Sequence, residues 1–316
     1  MSNTILLALV PVFFVMALGY GAGKLRIIDN AQIGGLNALV MDFALPASLL
    51  AATASASRRQ LLAQIPLAAA LGAVMVVIYL VWYLLLRGSS QSSRADASLQ
   101  ALTIAFPNLA GVGLPIASAV FGPAGTVPVA SALAAGSILV VPLSLVLLEI
   151  NRAGDGIVTQ GRLTQIRVAL RRALAKPVVV APAIGILVSL CDWKLDAVAQ
   201  MCLSLIGHAA AGVALFLTGL VLSVQVFRLN WQIVAATGMA DVIRPGLATA
   251  VAATLRLPPD VAKVAILLGA MPSGFFGILF AVNYRLDSTS AGSIVIASTL
   301  FSIVTLALAM SFIVSR

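Results

Sequence analysis

The stretch FPNLAGVGLP, residues 106–115, carries two prolines, two glycines and an asparagine inside an otherwise apolar run. Proline in a helix interior removes a backbone donor and clashes with the preceding turn, at about 3 kcal/mol, and each glycine adds about 1 kcal/mol relative to alanine. A second stretch, AMPSGFFGILF at 270–280, repeats the pattern. Pro107-Asn108 and Pro272-Ser273 stand 165 residues apart, with Gly111 and Gly113 after the first and Gly274 and Gly277 after the second. What such breaks do depends on the solvent around them.

That solvent is hydrocarbon. Of 316 residues, 61% are hydrophobic and 9% charged, and the mean hydropathy is +1.10. A soluble domain has roughly 45–50% apolar and about 25% charged residues. The apolar mass comes in runs of about 20 residues, the length a helix needs to cross ~30 Å of hydrocarbon, and the short alternating segments of a membrane barrel are missing. The fold class is therefore an all-α polytopic membrane protein. Ten spans are expected: 5–22, 33–53, 61–86, 97–121, 127–150, 177–190, 197–226, 233–255, 261–283 and 291–314.

The net charge of +9 concerns topology and membrane lipids, with no nucleic-acid partner expected. Twelve of the nineteen Lys and Arg fall in odd-numbered connections, six in even-numbered connections and the C-terminus, and Arg244 lies within a span. The positive-inside rule then puts the odd connections in the cytoplasm and both termini outside the inner membrane. The longest and most basic connection, 151–176, reads as a topology anchor at the lipid surface.

This loop divides the chain into a five-span half at 1–150 and another at 177–316. Five is odd, so the second half enters the membrane inverted, the condition for an inverted-topology repeat. A weaker match agrees: ALPASLL ending at Leu50 and AAGVALF ending at Phe216 align 166 residues apart. Carbonyls freed by a break cost several kcal/mol each in lipid unless they face protein or water. Paired breaks thus read as one midplane binding place built from Pro107, Asn108, Gly111, Gly113, Pro115, Pro272, Ser273, Gly274 and Gly277. Packing kinks are the competing reading, and an adequate one for Pro46, Pro142, Pro182 and Pro245.

Ionisable groups inside spans cost about 2.5–3.5 kcal/mol each at the centre. Asp241 and Arg244, three residues apart, read either as a structural ion pair or as a unit in which Arg244 attracts a carboxylate or exchanges partners during transport. Asp42, four residues before Pro46, reads as a proton carrier or as a hydrated or Arg244-paired carboxylate. His208 reads as a titrating group or as a histidine bonded to a carbonyl. Asn37 and Asn283, toward span ends, are explained by solvation. Cys191 and Cys202 flank an outer connection, and their spacing does not establish a disulfide. No Walker or Rossmann pattern, metal-ligand cluster or nucleophile-base constellation is present, so no cofactor, metal or enzyme activity is expected.

The chain resembles the auxin efflux carrier family, which includes plant PIN carriers and bacterial malonate and malate permeases. The resemblance rests on NALVMDFALPASLL (37–50), FPNLAGVGLPIASAVFG (106–122), GVALFLTGLVL (212–222) and AMPSGFFGILFAVNY (270–284). It implies two inverted five-helix repeats, related to the bile-acid and sodium-proton exchanger architecture, in which helices 4 and 9 cross at broken centres. A scaffold of helices 1, 2, 6 and 7 would support a moving unit of helices 3–5 and 8–10, with elevator-type transport and a homodimer through the scaffold. In two places this chain departs from the plant carriers: it has Gly277 where they have a second proline in helix 9, and the helix 7 motif, which usually has proline near the position of Gly212, has glycine there.

The expected function is secondary transport of a small organic anion, a mono- or dicarboxylate or an auxin-like aromatic acid, proton-coupled or as uniport. A sodium-coupled organic-anion symporter of bile-acid type and a non-transporting membrane sensor are the alternatives.

Overall fold

The computed structural model describes residues 2–28, 30–88, 93–153, 164, 167, 168, 170, 171 and 174–314. Most of the basic 151–176 connection therefore lies outside the described residues. Among the described residues the chain is helical, with no strand beyond one isolated bridge. The helices are α1 (Ser2–Lys24), α2a (Asn30–Ala38), α2b (Leu45–Ser55), α3 (Arg58–Arg87), α4a (Arg94–Ala105), α4b (Leu114–Phe121) and α5 (Thr126–Ala153), followed by α6 (Pro177–Leu190), α7a (Ala197–Gly207), α7b (Ala209–Val224), α8a (Trp231–Gly238), α8b (Arg244–Thr254), α9a (Pro259–Gly269), α9b (Phe276–Asn283) and α10 (Thr289–Val314).

Among the described residues, five continuous helical stretches are long and apolar enough to cross a membrane: Ile33–Ser55, Arg58–Arg87, Thr126–Leu148, Ala197–Val224 and Thr289–Ile313. Val10–Lys24, Leu109–Phe121 and Pro177–Leu190 are shorter apolar helices. Large apolar side chains such as Phe14, Leu85, Leu205 and Leu308 lie exposed, as expected where lipid, not water, covers the surface.

Three joints share one design. A π-helical turn links α2a to α2b (Leu39–Ala44), precedes α4b (Leu109–Gly113), and links α8a to α8b (Met239–Ile243). In each, a proline follows as the second residue of the next helix: Pro46, Pro115 and Pro245. A proline ring pushes away the carbonyl four residues back, here that of Asp42, Gly111 or Asp241. Widening the turn by one residue makes room, and the N–H before the proline bonds five residues back: Leu45 to Val40, Leu114 to Leu109 and Arg244 to Met239. Such bulges recur at functional sites. Pro46 and Pro245, readable in sequence as packing kinks, thus sit beside the two carboxylates that sequence reading placed inside spans, each in an Asp-x-x-x-Pro motif.

The most extensive pairings join α1 to α7b, α2b to α6, α3 to α5 and α4a, and α2b to α7a. The α1–α7b contact runs backbone to backbone. A Cβ on Gly219 would collide with the Met16 carbonyl, and one on Gly19 with that of Phe216. Cys191 and Cys202 are exposed free thiols.

Candidate functional site

α4a ends at Ala105 and α9a at Gly269, and in both the chain leaves helical geometry at its Pro-polar pair. The two extended segments lie side by side, antiparallel, with Pro107 bridged to Ser273. Asn108 N donates to the Pro272 carbonyl at 2.8 Å, and Gly274 N donates to the Phe106 carbonyl at 2.9 Å. The breaks therefore satisfy each other's backbone, which is how irregular chain survives at membrane depth. Gly274 permits the approach, since a Cβ there would overlap the Phe106 carbonyl, and one on Gly277 would overlap the Thr103 hydroxyl. The Phe106 and Phe276 rings close one side, with centroids 4.7 Å apart.

Charge at the crossing is asymmetric. α4a and α9a arrive with their C-termini, each equivalent to about half a negative charge, while α4b and α9b leave with their positive N-termini. Fully buried Arg244 meets the negative pair. Its Nε donates to the Gly269 carbonyl at 2.9 Å, its Nη1 to Ile104 and its Nη2 to Met271. One guanidinium thus holds the ends of both interrupted helices. Asp241, three residues earlier, interacts with it electrostatically without a hydrogen bond, and the three guanidinium nitrogens are occupied by backbone carbonyls. The reason is that three terminal carbonyls converge where no helical N–H remains for them.

Several polar groups at the crossing have capacity left over. Asn108 Oδ1 accepts from Gly111 N at 3.0 Å, capping the turn that leads into α4b, whereas its Nδ2 is buried without a partner. Ser273 Oγ is likewise buried and unpartnered. Ser273 N donates to Ser298 Oγ at 2.8 Å, and that hydroxyl donates to Asp241 Oδ1 at 2.8 Å. Gly111, Gly113, Pro107 and Pro272 are buried around these groups.

Beside the crossing lies a cavity of about 550 Å³, walled by α2, the start of α6, the end of α7b and the face of α9b from Phe276 to Phe280, a volume typical of small-molecule sites. Its polar lining is Asn37, Asp42, Lys176 and Gln225, and Met41, Val221 and Phe276 are among its apolar walls. Asn37 Oδ1 is buried without a partner. Lys176 stands over the Phe280 ring, 5.0 Å from its centroid. Partial burial holds its ammonium below the ordinary lysine value, with the Asp42 carboxylate pulling the other way. A cation stripped of part of its water beside apolar walls is suited to a carboxylate.

The predicted residues thus separate into groups. Pro107, Asn108, Gly111, Gly113, Pro115, Pro272, Ser273, Gly274 and Gly277 belong to the crossing; Asn37 and Asp42 line the adjoining cavity. His208 is exposed at the joint between α7a and α7b, away from the cavity lining. The Asn283 side chain lies outside the described residues. Sequence reading missed Lys176, counted there only as one of many basic loop residues. Its sole local signal is its place directly before Pro177, at the entry to an apolar helix.

Comparison with known proteins gives the crossing its setting. A family profile described as "Membrane transport protein" matches residues 4–310, nearly the whole chain. The chain belongs to the membrane transport protein family. This is the auxin efflux carrier family that its motifs resemble. The chain is also 26% identical over 301 residues, 94% of each protein, to "Uncharacterized transporter YfdV" of Escherichia coli strain K12. Proteins of the same name from Escherichia coli O157:H7 and Shigella flexneri match equally. As a member of the membrane transport protein family, the chain is a multi-pass membrane protein, and its buried crossing and neighbouring cavity are features to read in terms of transport.

Proposed function

We propose that this protein is a secondary transporter of small organic anions, mono- or dicarboxylates, with the cavity beside the helix crossing as its substrate site. The observation that carries this reading is the cavity's lining: a partly desolvated cation, Lys176, stands among two amides, the Asp42 carboxylate and apolar walls, and the face of α9b, whose N-terminal end is positive, forms one side. A carboxylate placed there meets Lys176 and the helix end, while its carbon skeleton packs on Met41, Val221 and Phe276.

In this reading the chain crosses the bacterial inner membrane ten times with both termini outside, in inverted repeats at 1–150 and 177–316 joined by the 151–176 loop. The helix pairings support a scaffold of α1, α2, α6 and α7 and a unit of α3–α5 and α8–α10 that moves elevator-fashion, with a homodimer formed through the scaffold. The start of α6 and the end of α7b adjoin connections assigned to the cytoplasm by charge, so the cavity faces inward. Asn108 Nδ2 and Ser273 Oγ, unpartnered here, are the donors that substrate would engage as the unit moves.

A thermal-shift screen of carboxylates on the purified protein, followed by counterflow of each hit in proteoliposomes, tests the proposal. Saturable counterflow of at least one carboxylate is the expected result. Stabilisation by carboxylates without any counterflow would identify a sensor instead.

A further inference from the structure

We propose that Asp241 is a proton-binding site of this transporter, a role that rests on the transport reading above and adds the coupling ion to it. The buried carboxyl sits in the π turn between α8a and α8b, 1% exposed. Oδ1 accepts from the Ser298 hydroxyl, and Oδ2 has no hydrogen-bond partner among the described residues. An ionised carboxylate held this way would cost several kcal/mol. The nearby cation offsets this only through space, because the Arg244 nitrogens donate to the carbonyls of Ile104, Gly269 and Met271 and not to the carboxyl.

The surrounding helices supply little else. Against the Asp241 turn pack α10 and α4a. α10 contains no ionisable side chain, and α4a carries Arg94 and Asp96 only in its first turn, where Asp96 Oδ2 accepts from Gln100 Nε2 at 2.8 Å. A zinc or calcium ion needs a shell of at least four ligands. Among the described residues no group of three or more acidic, histidine or cysteine side chains exists to begin one. A proton needs only the one bare oxygen.

The position also gives a protonation change something to act on. Ser298 Oγ, which donates to Asp241, accepts the Ser273 amide at the broken centre of helix 9. Loss of the proton would leave a full charge three residues from Arg244, competing with the carbonyls that this guanidinium holds. The same carboxyl is thus tied to both supports of the crossing.

Infrared spectroscopy of the full-length protein in lipid, titrated from pH 5 to 9 (roughly the range of a perturbed carboxyl) in light and heavy water, tests the assignment without any substrate. A protonated-carboxyl band present at neutral pH and absent from D241N is expected. A wild type lacking the band, or a D241N protein retaining it unchanged, would overturn the proposal. If D241N does not fold, S298A replaces it: the band must move to higher frequency when the hydroxyl donor to Oδ1 is lost, and an unmoved band also overturns the assignment. In proteoliposomes loaded with radiolabelled malonate or benzoate, D241N should keep counterflow and lose about tenfold or more of the stimulation by an imposed pH gradient. Equal stimulation in both proteins contradicts the coupling role. Absence of counterflow in the wild type for these and all other carboxylates tested, with the infrared band intact, would instead count against the transport reading and leave the proton site standing.

Discussion

Asn108 donates its backbone N–H to the Pro272 carbonyl at 2.8 Å, joining two residues 164 positions apart in one antiparallel contact at the centre of the molecule. Neither break is stable alone in a low-dielectric surrounding, because each exposes backbone groups that the other satisfies. Together with Arg244 they form a single structural element with polar side-chain capacity left over.

Removing Arg244 should unfasten this element. R244A leaves the carbonyls of Ile104, Gly269 and Met271 without that donor, at about 1–3 kcal/mol for each buried group left unsatisfied. A loss of about 3 kcal/mol or more is expected in reversible unfolding in detergent. R244K, whose ammonium lacks the planar fork, should recover only part of it. An R244A protein as stable as wild type would refute this role.

Asn108 has two separable duties. Its Oδ1 caps Gly111 N, worth about 1 kcal/mol, and its free Nδ2 is assigned to substrate. N108A should therefore lose only about 1 kcal/mol of stability while carboxylate transport falls at least tenfold, read as initial counterflow rates at matched protein levels. Normal transport by N108A would exclude Asn108 from the site.

The charge of Lys176 sets a pH dependence. Its ammonium, held below the ordinary lysine value by burial, binds an anion only when protonated. Carboxylate affinity should be full at low pH, provided the ligand stays ionised, and fall as pH rises through the Lys176 pKa, earlier than an exposed lysine would dictate. K176M should weaken binding at neutral pH and remove this fall, measured by calorimetry across the pH series. An unchanged profile in K176M would show that another group binds the anion.

Close packing across the crossing should make Gly277 intolerant of a side chain. A Cβ there meets the Thr103 hydroxyl and the Leu99 carbonyl, so G277A should cost about 1–3 kcal/mol through overpacking. T103A combined with G277A removes the hydroxyl and should recover part of the loss. Additive effects in the double variant would contradict that contact.

The helix breaks were legible because proline and glycine act locally: Pro107 and Pro272 disrupt the helix wherever the rest of the chain lies, and only membrane depth makes their pairing informative. Resemblance to the auxin efflux carriers supplied the crossing, and Pro107 and Ser273 meet there in space. The fate of Arg244 was not legible. In sequence its neighbour is Asp241, whereas its acceptors come from α4a and from the end of α9a, 140 residues away in the case of Ile104. The π turns were hidden for a related reason, since a proline two residues into a helix gives the same letters whether the preceding turn is widened or the helix merely kinks. Lys176 was hidden by number: one basic residue among many in the 151–176 loop carries no mark of a cavity assembled from α2, α7b and α9b.

The most direct test of the central claim is a cryo-electron microscopy map of the protein in lipid with the carboxylate that stabilises it most. Ligand density in the cavity, its carboxylate against Lys176 and its body beside Phe276 at the edge of the crossing, is the predicted result. Density bound elsewhere with this cavity empty, or helices 4 and 9 running unbroken past one another, would contradict it.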